Sequence, residues 1–563
     1  MDNIVHTYIS KLFFNNGEVL DIKENDIILF VGPNNAGKSQ SLNDIYAKCD
    51  NGQKTIVVSD IQIEKEEGSI LSVLKKAYKL NDLGVEYIYE IANRGRYSFN
   101  KVDGDAHFRR MHYYGIYRDT LVARLSTENR LRISAPAPIA NRSQAWFNPI
   151  HYAAYNTEYA KWISDNFCKA FGTNITANTL HGAEIPMCVG PNVKLTDAFD
   201  TEQERQNAYA DVLESYKQVH LQGDGVKSFT GILLYLMLDY YHVYLIDEPE
   251  SFLHPPQARI MGQIIGRTLR QNQQAFISTH SEDVVKGLLD VCEDRLKIVR
   301  ITRTEDVNSF SILDNQKIRD VFGDPLLKYS NIMSSLFHKT VVLCESDSDC
   351  RLYALIENHL KQLEGKYSET LFIHCGGKHR MARTAAALLA LNIDVRVIPD
   401  IDVLNDENVI QTIAKVFGID WNCIEKDFRI LSSNLHSSKE KITRANAKNE
   451  IERVISSSND VNLSSNEIKQ IQTIIKTTSK WEGIKHGGKQ LIPAGDATNA
   501  YNRLETLFRN HHVYIVPVGE LEGFIKEVGG HGPDWVNKVL EEYPDLSNPV
   551  YHEVKNFIQS IGL

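Results

Sequence analysis

At 563 residues the chain is too long for one compact hydrophobic core, so we expect two or three domains. Its net charge of -10 excludes a protein coated in basic surface, and any nucleic acid would have to be bound by lysines and arginines clustered in a local groove. Hydrophobic residues make up 42% of the chain and charged residues 24%, as in a soluble globular protein.

The N-terminus and the cysteines indicate a cytoplasmic protein. The first residues lack the charged-then-apolar pattern of a secretory signal. None of the eight cysteines is in a C-x-x-C spacing, so we expect reduced and mostly buried thiols. The longest apolar run, 231–246, contains Asp239 and His242 and favours a buried helix leading into a strand over a membrane span.

A phosphate-binding loop follows the first strongly apolar run. Residues 26–31 predict a buried strand, residues 32–39 spell a complete G-x-x-x-x-G-K-[ST] loop, and a helix is predicted from Ser39 onward. The loop backbone should turn its N–H groups toward the phosphates of ATP, while Lys38 reaches the β and γ phosphates and Ser39 binds Mg²⁺. The predicted nucleotide-binding residues of this loop are Gly32, Asn34, Asn35, Ala36, Gly37, Lys38 and Ser39.

Between about residues 70 and 215 the pattern is less regular, and we predict an insertion in the first domain. Stretches 94–97 and 109–114 mix arginines with aromatic residues. They either stack on nucleic acid or, as is more common, form edge strands with solvated arginines. A helical stretch is predicted from about residue 153 to 171.

Two more buried strands each end in a polar group. Residues 242–246 lead into Asp247 and Glu248, and residues 275–279 lead into His280. Adjacent acids at a strand end are unfavourable unless they act on something, because repulsion and desolvation both oppose them. After a phosphate loop, Asp247 is expected to hold Mg²⁺ through water and Glu248 to polarise the attacking water.

These motifs resemble the ABC-type ATPases, and more closely their SMC/RecF-like branch. The resemblance implies that 251–255 is the D-loop, that His280 is the switch histidine at the γ-phosphate, and that two subunits dimerise around ATP. The expected signature segment corresponds to 221–228, where Gln222 replaces the signature serine. Gly223 and Gly225 could still cap a phosphate, assisted by Lys227 or Ser228, and Gln62 is the best candidate for the Q-loop glutamine.

Carboxylates follow two strands of the second half. Glu345 and Asp349 come after the strand predicted at 339–344, and Asp400 and Asp402 come after the strand predicted at 394–399. Parallel strands gather their ends at one edge of a sheet, so these oxygens are expected to form a site for Mg²⁺ or Mn²⁺. Two such ions could clamp the two oxygens of a phosphodiester, whereas either motif alone would favour solvated acids on loops.

This half resembles the Toprim fold of topoisomerases, primases and some nucleases. Ser346 replaces the glycine of the E-G-x-x-D motif, and the D-x-D motif is intact. Residues 513–518 lead into Glu520 and Glu522, which resemble the extra acidic element of the OLD (overcoming lysogenization defect) nucleases. The group's W-x-x-x-K-x-x-G stretch matches Trp481, Lys485 and Gly488.

That stretch lies in an excursion, 406–510, which a minimal Toprim domain lacks and which we predict to be helical. Lys485 either neutralises transition-state charge or is an exposed helix lysine. For contact with a DNA backbone, Lys378, Arg380 and Arg383 are better candidates than the basic residues of the excursion, which are Lys439, Lys441, Arg444 and Lys448.

An ABC-type domain followed by a Toprim domain is the architecture of the OLD family, found also in Gabija-type and retron-associated antiphage effectors. The resemblance implies an α/β protein: an ABC-type P-loop ATPase domain over 1–335, followed by a Toprim (Rossmann-like α/β) domain over 336–563, with helical insertions. It implies ATP as a cofactor, Mg²⁺ or Mn²⁺ at both sites, DNA as substrate, a homodimer or higher homo-oligomer, and no membrane. It leaves open a defence-system partner such as a reverse transcriptase with bound DNA or a helicase-like protein.

By this resemblance the chain is an ATP-dependent endonuclease. The residues expected to carry the chemistry are Glu248, His280, Glu345, Asp400, Asp402 and Lys485, with Asp349, Glu520 and Glu522 as further metal ligands. Two alternatives stay open: a Toprim ribonuclease that cleaves tRNA, and an SMC/RecF-like DNA-sensing ATPase with a non-catalytic Toprim half. Topoisomerase or primase activity is disfavoured, because neither a tyrosine-bearing cleavage domain nor a primer-synthesis zinc module is apparent.

Overall fold

The chain forms two compact units, Met1–Arg319 and Asp320–Leu563. The structure is a computed structural model. It describes residues 5–50, 54–65, 68–77, 80–91, 95–101, 104, 117–140, 148–195, 199–292, 294–305, 307–313, 316, 332–436, 444–456, 463–464, 467–468, 471 and 480–563.

The first unit mixes strands and helices. Its strands are β1 (Thr7–Phe14), β2 (Val19–Asp21), β3 (Ile27–Val31), β4 (Val58–Lys65), β5 (Asn81–Asp82), β6 (Glu86–Ile91), β7 (Gly95–Asn100), β8 (Val122–Leu125), β9 (Ala137–Pro138), β10 (Asn174–Ala177), β11 (Glu184–Ile185), β12 (Met187–Gly190), β13 (Lys217–Gln218), β14 (Val243–Asp247), β15 (Gln274–Ser278), β16 (Leu296–Thr304) and β17 (Val307–Leu313). Its helices are α1 (Lys38–Lys48), α2 (Ile70–Ala77), α3 (Thr127–Ile133), α4 (Pro149–Tyr155), α5 (Thr157–Phe171), α6 (Glu202–Glu214), α7 (Asp224–Leu236), α8 (Pro255–Thr268) and α9 (Glu282–Leu289).

A six-stranded sheet organises this unit, in the order β17-β16-β3-β15-β14-β8. All its pairings are parallel except that of β16 with β17. Strands β3 and β15 are buried along their whole length, which explains their continuous apolar sequences. Because β3, β15 and β14 are neighbours and run the same way, the phosphate loop, His280 and the Asp247–Glu248 pair follow strand ends at one edge of the sheet.

The region predicted as an insertion, 70–215, contributes β8 to the central sheet. The helical stretch predicted from about residue 153 to 171 is confirmed, and the structure divides it at Asn156 into the end of α4 and the whole of α5. Asn156 has an extended backbone, and its side-chain oxygen accepts hydrogen bonds from the N–H groups of Glu158 and Tyr159. A capping side chain of this kind starts a new helix even where the surrounding pattern is continuously helical.

The second unit has a three-stranded parallel sheet and nine labelled helices among its described residues. Its strands are β18 (Thr340–Cys344), β19 (Thr370–His374) and β20 (Asp394–Ile398). Its helices are α10 (Asp347–Leu363), α11 (Lys378–Ala390), α12 (Glu407–Val416), α13 (Trp421–His436), α14 (Arg444–Ile455), α15 (Lys480–Gly487), α16 (Asp496–Asn510), α17 (Gly532–Glu542) and α18 (His552–Ile561).

The sheet order is β19-β18-β20, and Val513 forms a parallel bridge to Val397 on the outer side of β20. One hydrophobic cluster joins residues of β18 to α10, α17 and α18, while a second joins α12, α13 and α16 around Trp481. The described part of the 406–510 excursion is therefore helical, as predicted. Its helices pack in the same unit as the three-stranded sheet. None of the described helices is long and apolar enough to cross a membrane.

Candidate functional site

The phosphate loop has the conformation expected of an anion cradle. Helix α1 begins at Lys38, directly after Gly37, whose φ of +100 is a left-handed conformation that suits glycine. The buried Lys38 ammonium donates hydrogen bonds to the carbonyl oxygens of Gly32 (2.8 Å) and Pro33 (2.7 Å). Burial lowers the pKa of Lys38 to about 8, although Glu248, Glu250 and Asp247 act to raise it. Phosphate oxygens would replace those carbonyls and restore the ammonium's charge partner.

A cavity of about 870 Å³ opens over this loop, large enough for a nucleotide. Gly32 lies so close to β16 that a Cβ there would be 2.0 Å from the carbonyl oxygen of Ile301. Asn308 donates a hydrogen bond to the carbonyl of Ala36 (2.6 Å). The lining residues are Asn34, Asn35, Gly37, Lys38, Ser39, Gln40, Ile56, Val57, Glu248, His280, Arg303 and Asn308. The sequence analysis missed Arg303 and Asn308, because they lie in no motif.

Of the two strand-end acids, Glu248 lines this cavity, and both are held by a network of hydrogen bonds. The Ser278 hydroxyl donates to Asp247, and the Ser251 hydroxyl donates to Oε2 of Glu248 (3.1 Å). Nε2 of His280 lies 3.7 Å from Oε1 of Glu248. Burial and the nearby Lys38 lower the pKa of His280, so the ring is neutral near pH 7.

Glu250, two residues beyond the predicted acid, is also part of this network. It accepts hydrogen bonds from the Thr279 hydroxyl (2.8 Å) and the His280 N–H (2.7 Å). Burial raises the pKa of Glu250, and its Oε2 has no hydrogen-bond partner among the described residues. The side chain holds the β15 end against the β14 end and so sets where His280 stands relative to Glu248.

The segment matched to the ABC signature lies at the start of α7. Gly223 is exposed at the helix N-cap, and neither it nor Gly225 lines the cavity of the same chain. Ser228 is buried and accepts a hydrogen bond from Arg130 (3.0 Å), so it is not positioned to assist at a phosphate. Gln62 is exposed on β4, where it donates to Glu64 (2.6 Å), and it does not line the cavity.

In the second unit, the carboxylates that follow β18 and β20 come together as predicted. Cys344 pairs with Ile398 in the parallel register, so both strands end at the same level. Oε1 of Glu345 accepts a hydrogen bond from the N–H of Asp400 (3.1 Å). Burial and the negative charge of Asp402 raise the pKa of Glu345 to about 7, and burial with Glu345 raises the pKa of Asp400 well above its usual range. These acids crowd each other in a way that a bound cation would relieve.

Two lysines are directed at this carboxylate cluster. Nζ of Lys378 lies 3.1 Å from Oδ2 of Asp402 and donates to its carbonyl (3.0 Å). Nζ of Lys485 lies 3.9 Å from Oδ2 of Asp402 and 3.8 Å from Oε2 of Glu520. Burial opposes the charge of Lys485, but Asp402 and Glu520 outweigh it and raise the lysine's pKa. The structure therefore favours a role for Lys485 within the site over that of a solvated helix lysine.

Close backbone packing places Lys485. Gly519 has a φ of +108, and a Cβ there would lie 2.0 Å from the carbonyl oxygen of Lys485. A Cβ on Gly488 would lie 2.5 Å from the carbonyl oxygen of Pro517. Trp481 is buried in the cluster that holds α15 against the unit. The three matched residues thus act together: Trp481 anchors the helix, and Gly488 lets it approach the loop that bears Glu520.

A second group of ligand atoms lies beside the first. Donor atoms of Glu520, Glu522 and His531 lie within 4.8 Å of one another. Nδ1 of His531 is 2.7 Å from Oε1 of Glu522, and Nδ1 of His486 is 2.6 Å from Oε1 of Glu520. Burial and the charge of Glu522 raise the pKa of Asp349 on α10. Asp349 therefore lies near enough to this second group to interact with it. His531 was not predicted, because it lies in a loop without a recognisable spacing.

The residues of the second unit's site fit divalent cations. Oδ1 of Asp402 is buried and has no hydrogen-bond partner among the described residues. The other donors are carboxylate oxygens and one imidazole, which suit Mg²⁺ and Mn²⁺.

The predicted nucleic-acid contacts are only partly described. Stretches 109–114 and 437–443, which include Lys439 and Lys441, lie outside the described residues, as do the side chains of 94–97. Lys378 pairs with Asp402, while Arg380 and Arg383 are exposed on α11. Arg444 and Lys448 are exposed on α14, and Lys448 lies 3.8 Å from Glu452.

Family models match a segment of each unit. Residues 195–285 match the family described as "AAA domain, putative AbiEii toxin, Type IV TA system". Residues 336–402 match the family described as "Overcoming lysogenization defect protein-like, TOPRIM domain". The two matches support the ATPase–Toprim architecture of the OLD family. The predicted fold class, an α/β protein with an ABC-type P-loop ATPase domain followed by a Toprim domain, is confirmed.

The relatives that the chain matches are distant. The Old nuclease of Escherichia phage P2 is 23% identical over 167 residues, which is 29% of this chain and 28% of that protein. The uncharacterised protein MJECL11 of Methanocaldococcus jannaschii is 29% identical over 108 residues, which is 18% of this chain and 95% of that protein. Similar solved structures include an Smc head bound to a winged-helix domain of ScpA (12% identity, 55% of this chain and 99% of that chain, TM-score 0.35) and the SMC head domain from Thermotoga maritima (12% identity, 56% and 100%, TM-score 0.29).

Proposed function

We propose that the protein is an ATP-binding and ATP-hydrolysing, metal-dependent endonuclease that cleaves DNA phosphodiesters under the control of its ATPase unit. One observation carries this proposal: carboxylates from the ends of two parallel strands, from α10 and from the 519–522 loop converge with two lysines in the Toprim unit. A purely structural unit would not gather buried acids whose pKa values rise against one another.

In the proposed nuclease site, divalent cations would be held by the predicted ligands Glu345, Asp349, Asp400, Asp402, Glu520 and Glu522, together with His531. When bound, they supply an activated water and stabilise charge on the phosphodiester oxygens. Lys378 keeps Asp402 in place through its carboxylate and carbonyl. Lys485 offers its ammonium to charge that develops at the phosphate, because it approaches Asp402 and Glu520 only at 3.8–3.9 Å and keeps donors free for substrate.

In the proposed ATPase site, Lys38 binds the β and γ phosphates, and Ser39 and Asp247 are the Mg²⁺ ligands. Glu248 accepts the proton of the attacking water, with its carboxylate oriented by Ser251. His280 is neutral and lies beside Glu248, so it can donate a hydrogen bond to the γ-phosphate.

The proposal extends to the protein's setting. Dimerisation through the ATPase unit would bring Gly223 and Gly225 of one subunit to the nucleotide of the other, which is consistent with the exposed N-terminus of α7. A cytoplasmic location, a role in antiphage defence, and a defence-system partner such as a reverse transcriptase with bound DNA belong to the same proposal.

The test is cleavage of supercoiled plasmid, single-stranded DNA and total tRNA by the full chain, with Mg²⁺ or Mn²⁺ and with or without ATP. Asp400→Asn should abolish cutting, and Lys38→Ala should remove its dependence on ATP. Asp347→Asn is the matched control, because Asp347 is a neighbouring acid that pairs with Arg351 (2.7 Å) outside the cluster. Loss of tRNA with intact DNA would replace the proposal with a ribonuclease. ATP hydrolysis without any cleavage would replace it with a sensor.

A further inference from the structure

A buried arginine links three parts of the ATPase unit. Arg130, on α3, is fully buried, and its side chain donates to five acceptors. Nη1 donates to the carbonyls of Leu125 (3.0 Å) and Asp247, while Nη2 donates to the carbonyl of Glu248 (3.1 Å) and the hydroxyl of Thr127 (3.3 Å). Nε donates to the hydroxyl of Ser228 on α7 (3.0 Å). No sequence motif pointed to this residue.

Two of these acceptors belong to the acidic pair. Glu248 has a φ of +46, a left-handed conformation that is uncommon for a residue with a side chain. Its N–H donates to the carbonyl of Ser278 (2.9 Å), and its own carbonyl accepts from Arg130. Hydrogen bonds therefore hold both the N–H and the carbonyl group of Glu248. Arg130 provides the one to the carbonyl.

Helix α7 also packs closely against α3 and against the segment that follows Glu248. A Cβ on Gly231 would lie 2.3 Å from the carbonyl oxygen of Arg130, so the helix rests directly on the backbone of α3. A Cβ on Gly225 would lie 2.5 Å from the carbonyl oxygen of Phe252, whose φ is +69. With the bond to Ser228, three contacts tie residues 225–231 of α7 to Arg130 and to Phe252, four residues after Glu248. A shift of α7 along its axis would strain all three, because packed elements do not deform continuously.

The hydrogen bonds of Arg130 also explain why a charged residue occupies this buried position. Burial lowers the pKa of Arg130 to about 10, against the raising effects of Asp247, Glu250 and Glu248, so the guanidinium stays charged near pH 7. A buried charge is costly unless it is fully bonded, and an apolar side chain would fill the same space without that cost. What an apolar side chain cannot do is to hold two strand ends and one helix in a fixed relation.

We propose that Arg130 is a positioning residue for ATP hydrolysis, which couples the orientation of Glu248 to the position of helix α7. This inference rests on the proposed ATPase activity. Because the N-terminus of α7 is expected to meet the nucleotide bound by the other subunit of a dimer, binding there would reach Glu248 of the same chain through Ser228 and Arg130. The residue does not touch the nucleotide pocket itself; it acts through Glu248.

The experiment compares Arg130→Met, Arg130→Lys and Ser228→Ala in the full chain, with Arg132→Met as the control, since Arg132 is exposed on the same helix. Binding of a fluorescent ATP analogue, the kcat of ATP hydrolysis and the melting temperature are measured for each variant. Arg130→Met should lower kcat by about 100-fold, as expected for a displaced catalytic group, while the Kd of the analogue changes by less than about threefold. Arg130→Lys and Ser228→Ala should give intermediate losses, and Arg132→Met none.

A double-mutant cycle with Glu248→Gln separates positioning from general damage. If Arg130 acts through Glu248, Ser228→Ala or Arg130→Lys should cause no further loss of residual hydrolysis in the Glu248→Gln background. Additive losses, or a Kd that rises in step with the fall in kcat, would overturn the inference. If Arg130→Met does not fold, the cycle with Ser228→Ala decides. Absence of ATP hydrolysis by the wild-type chain would refute the proposed function instead.

Discussion

Neutralising one carboxylate of the Toprim site should stabilise the protein while abolishing its cleavage. The pKa of Glu345 rises from the usual 4.5 to about 7 because the side chain is buried beside Asp402. Between these two pH values the folded protein keeps a proton that the unfolded chain has lost. The free energy of unfolding therefore falls as pH rises through this window and stays reduced above pH 7. Glu345→Gln removes that loss, and its amide oxygen can still accept the hydrogen bond from Asp400.

The magnitude follows from the two pKa values. At about 1.4 kcal/mol for each pH unit, the difference between 4.5 and about 7 corresponds to at most about 3.5 kcal/mol at pH 8. For a folding unit of this size the melting temperature would rise by about 7–14 °C. The gain should shrink to about 1 kcal/mol at pH 5 and vanish below about pH 4, where the unfolded chain also holds the proton.

The assay is calorimetry of wild type and Glu345→Gln from pH 5 to 8.5 with a chelator, repeated with Mn²⁺. Mn²⁺ should raise the melting temperature of wild type at pH 8 and should do so less for the variant. Glu541→Gln, which changes an exposed carboxylate on α17, is the control and should leave the pH dependence unchanged. Identical pH dependence of wild type and Glu345→Gln would show that these carboxylates do not crowd one another, and the reasoning would fail.

Three further outcomes are expected. Lys38→Ala should weaken binding of a fluorescent ATP analogue by at least about tenfold, because it removes a charge-assisted phosphate contact, and an unchanged Kd would contradict the assigned pocket. Gly519→Ala should lower the melting temperature far more than Gly495→Ala: both have a positive φ, but only at Gly519 would a Cβ overlap another atom, and equal effects would contradict the packing. His531→Ala should raise the Mn²⁺ concentration needed for half-maximal cleavage by at least about tenfold. The exposed His552→Ala should leave it unchanged, and equal behaviour of the two variants would exclude His531 as a ligand.

The parts of the site that the sequence predicted are those that follow strands. Residues 27–31 and 340–344 are buried from end to end, so their apolar runs predicted strands, and the polar residues that follow them stand at the sheet edge. Asp400 follows the same rule. Parallel pairing of β18 with β20 is enough to bring Asp400 close to Glu345, independently of contacts elsewhere in the chain.

The parts that escaped prediction depend on tertiary contacts between distant segments. Arg130 reaches Glu248 across 118 residues, and no spacing within α3 distinguishes it from the exposed Arg132. His531 joins Glu522 through a loop whose course depends on packing of α17. The break at Asn156 was missed for the opposite reason: it is a local capping contact inside a continuously helical pattern.

The charge count of the Toprim site has a consequence for the order in which its ligands bind. Six carboxylates, Glu345, Asp349, Asp400, Asp402, Glu520 and Glu522, gather there with two ammonium groups, Lys378 and Lys485. When all are ionised, four formal negative charges remain, which equals the positive charge of two divalent cations. Without bound cations the carboxylate cluster would repel the phosphodiester backbone, whereas with two divalent cations bound it would not. Cation loading should therefore come before capture of the nucleic acid strand, so that metal concentration sets whether the substrate can enter at all.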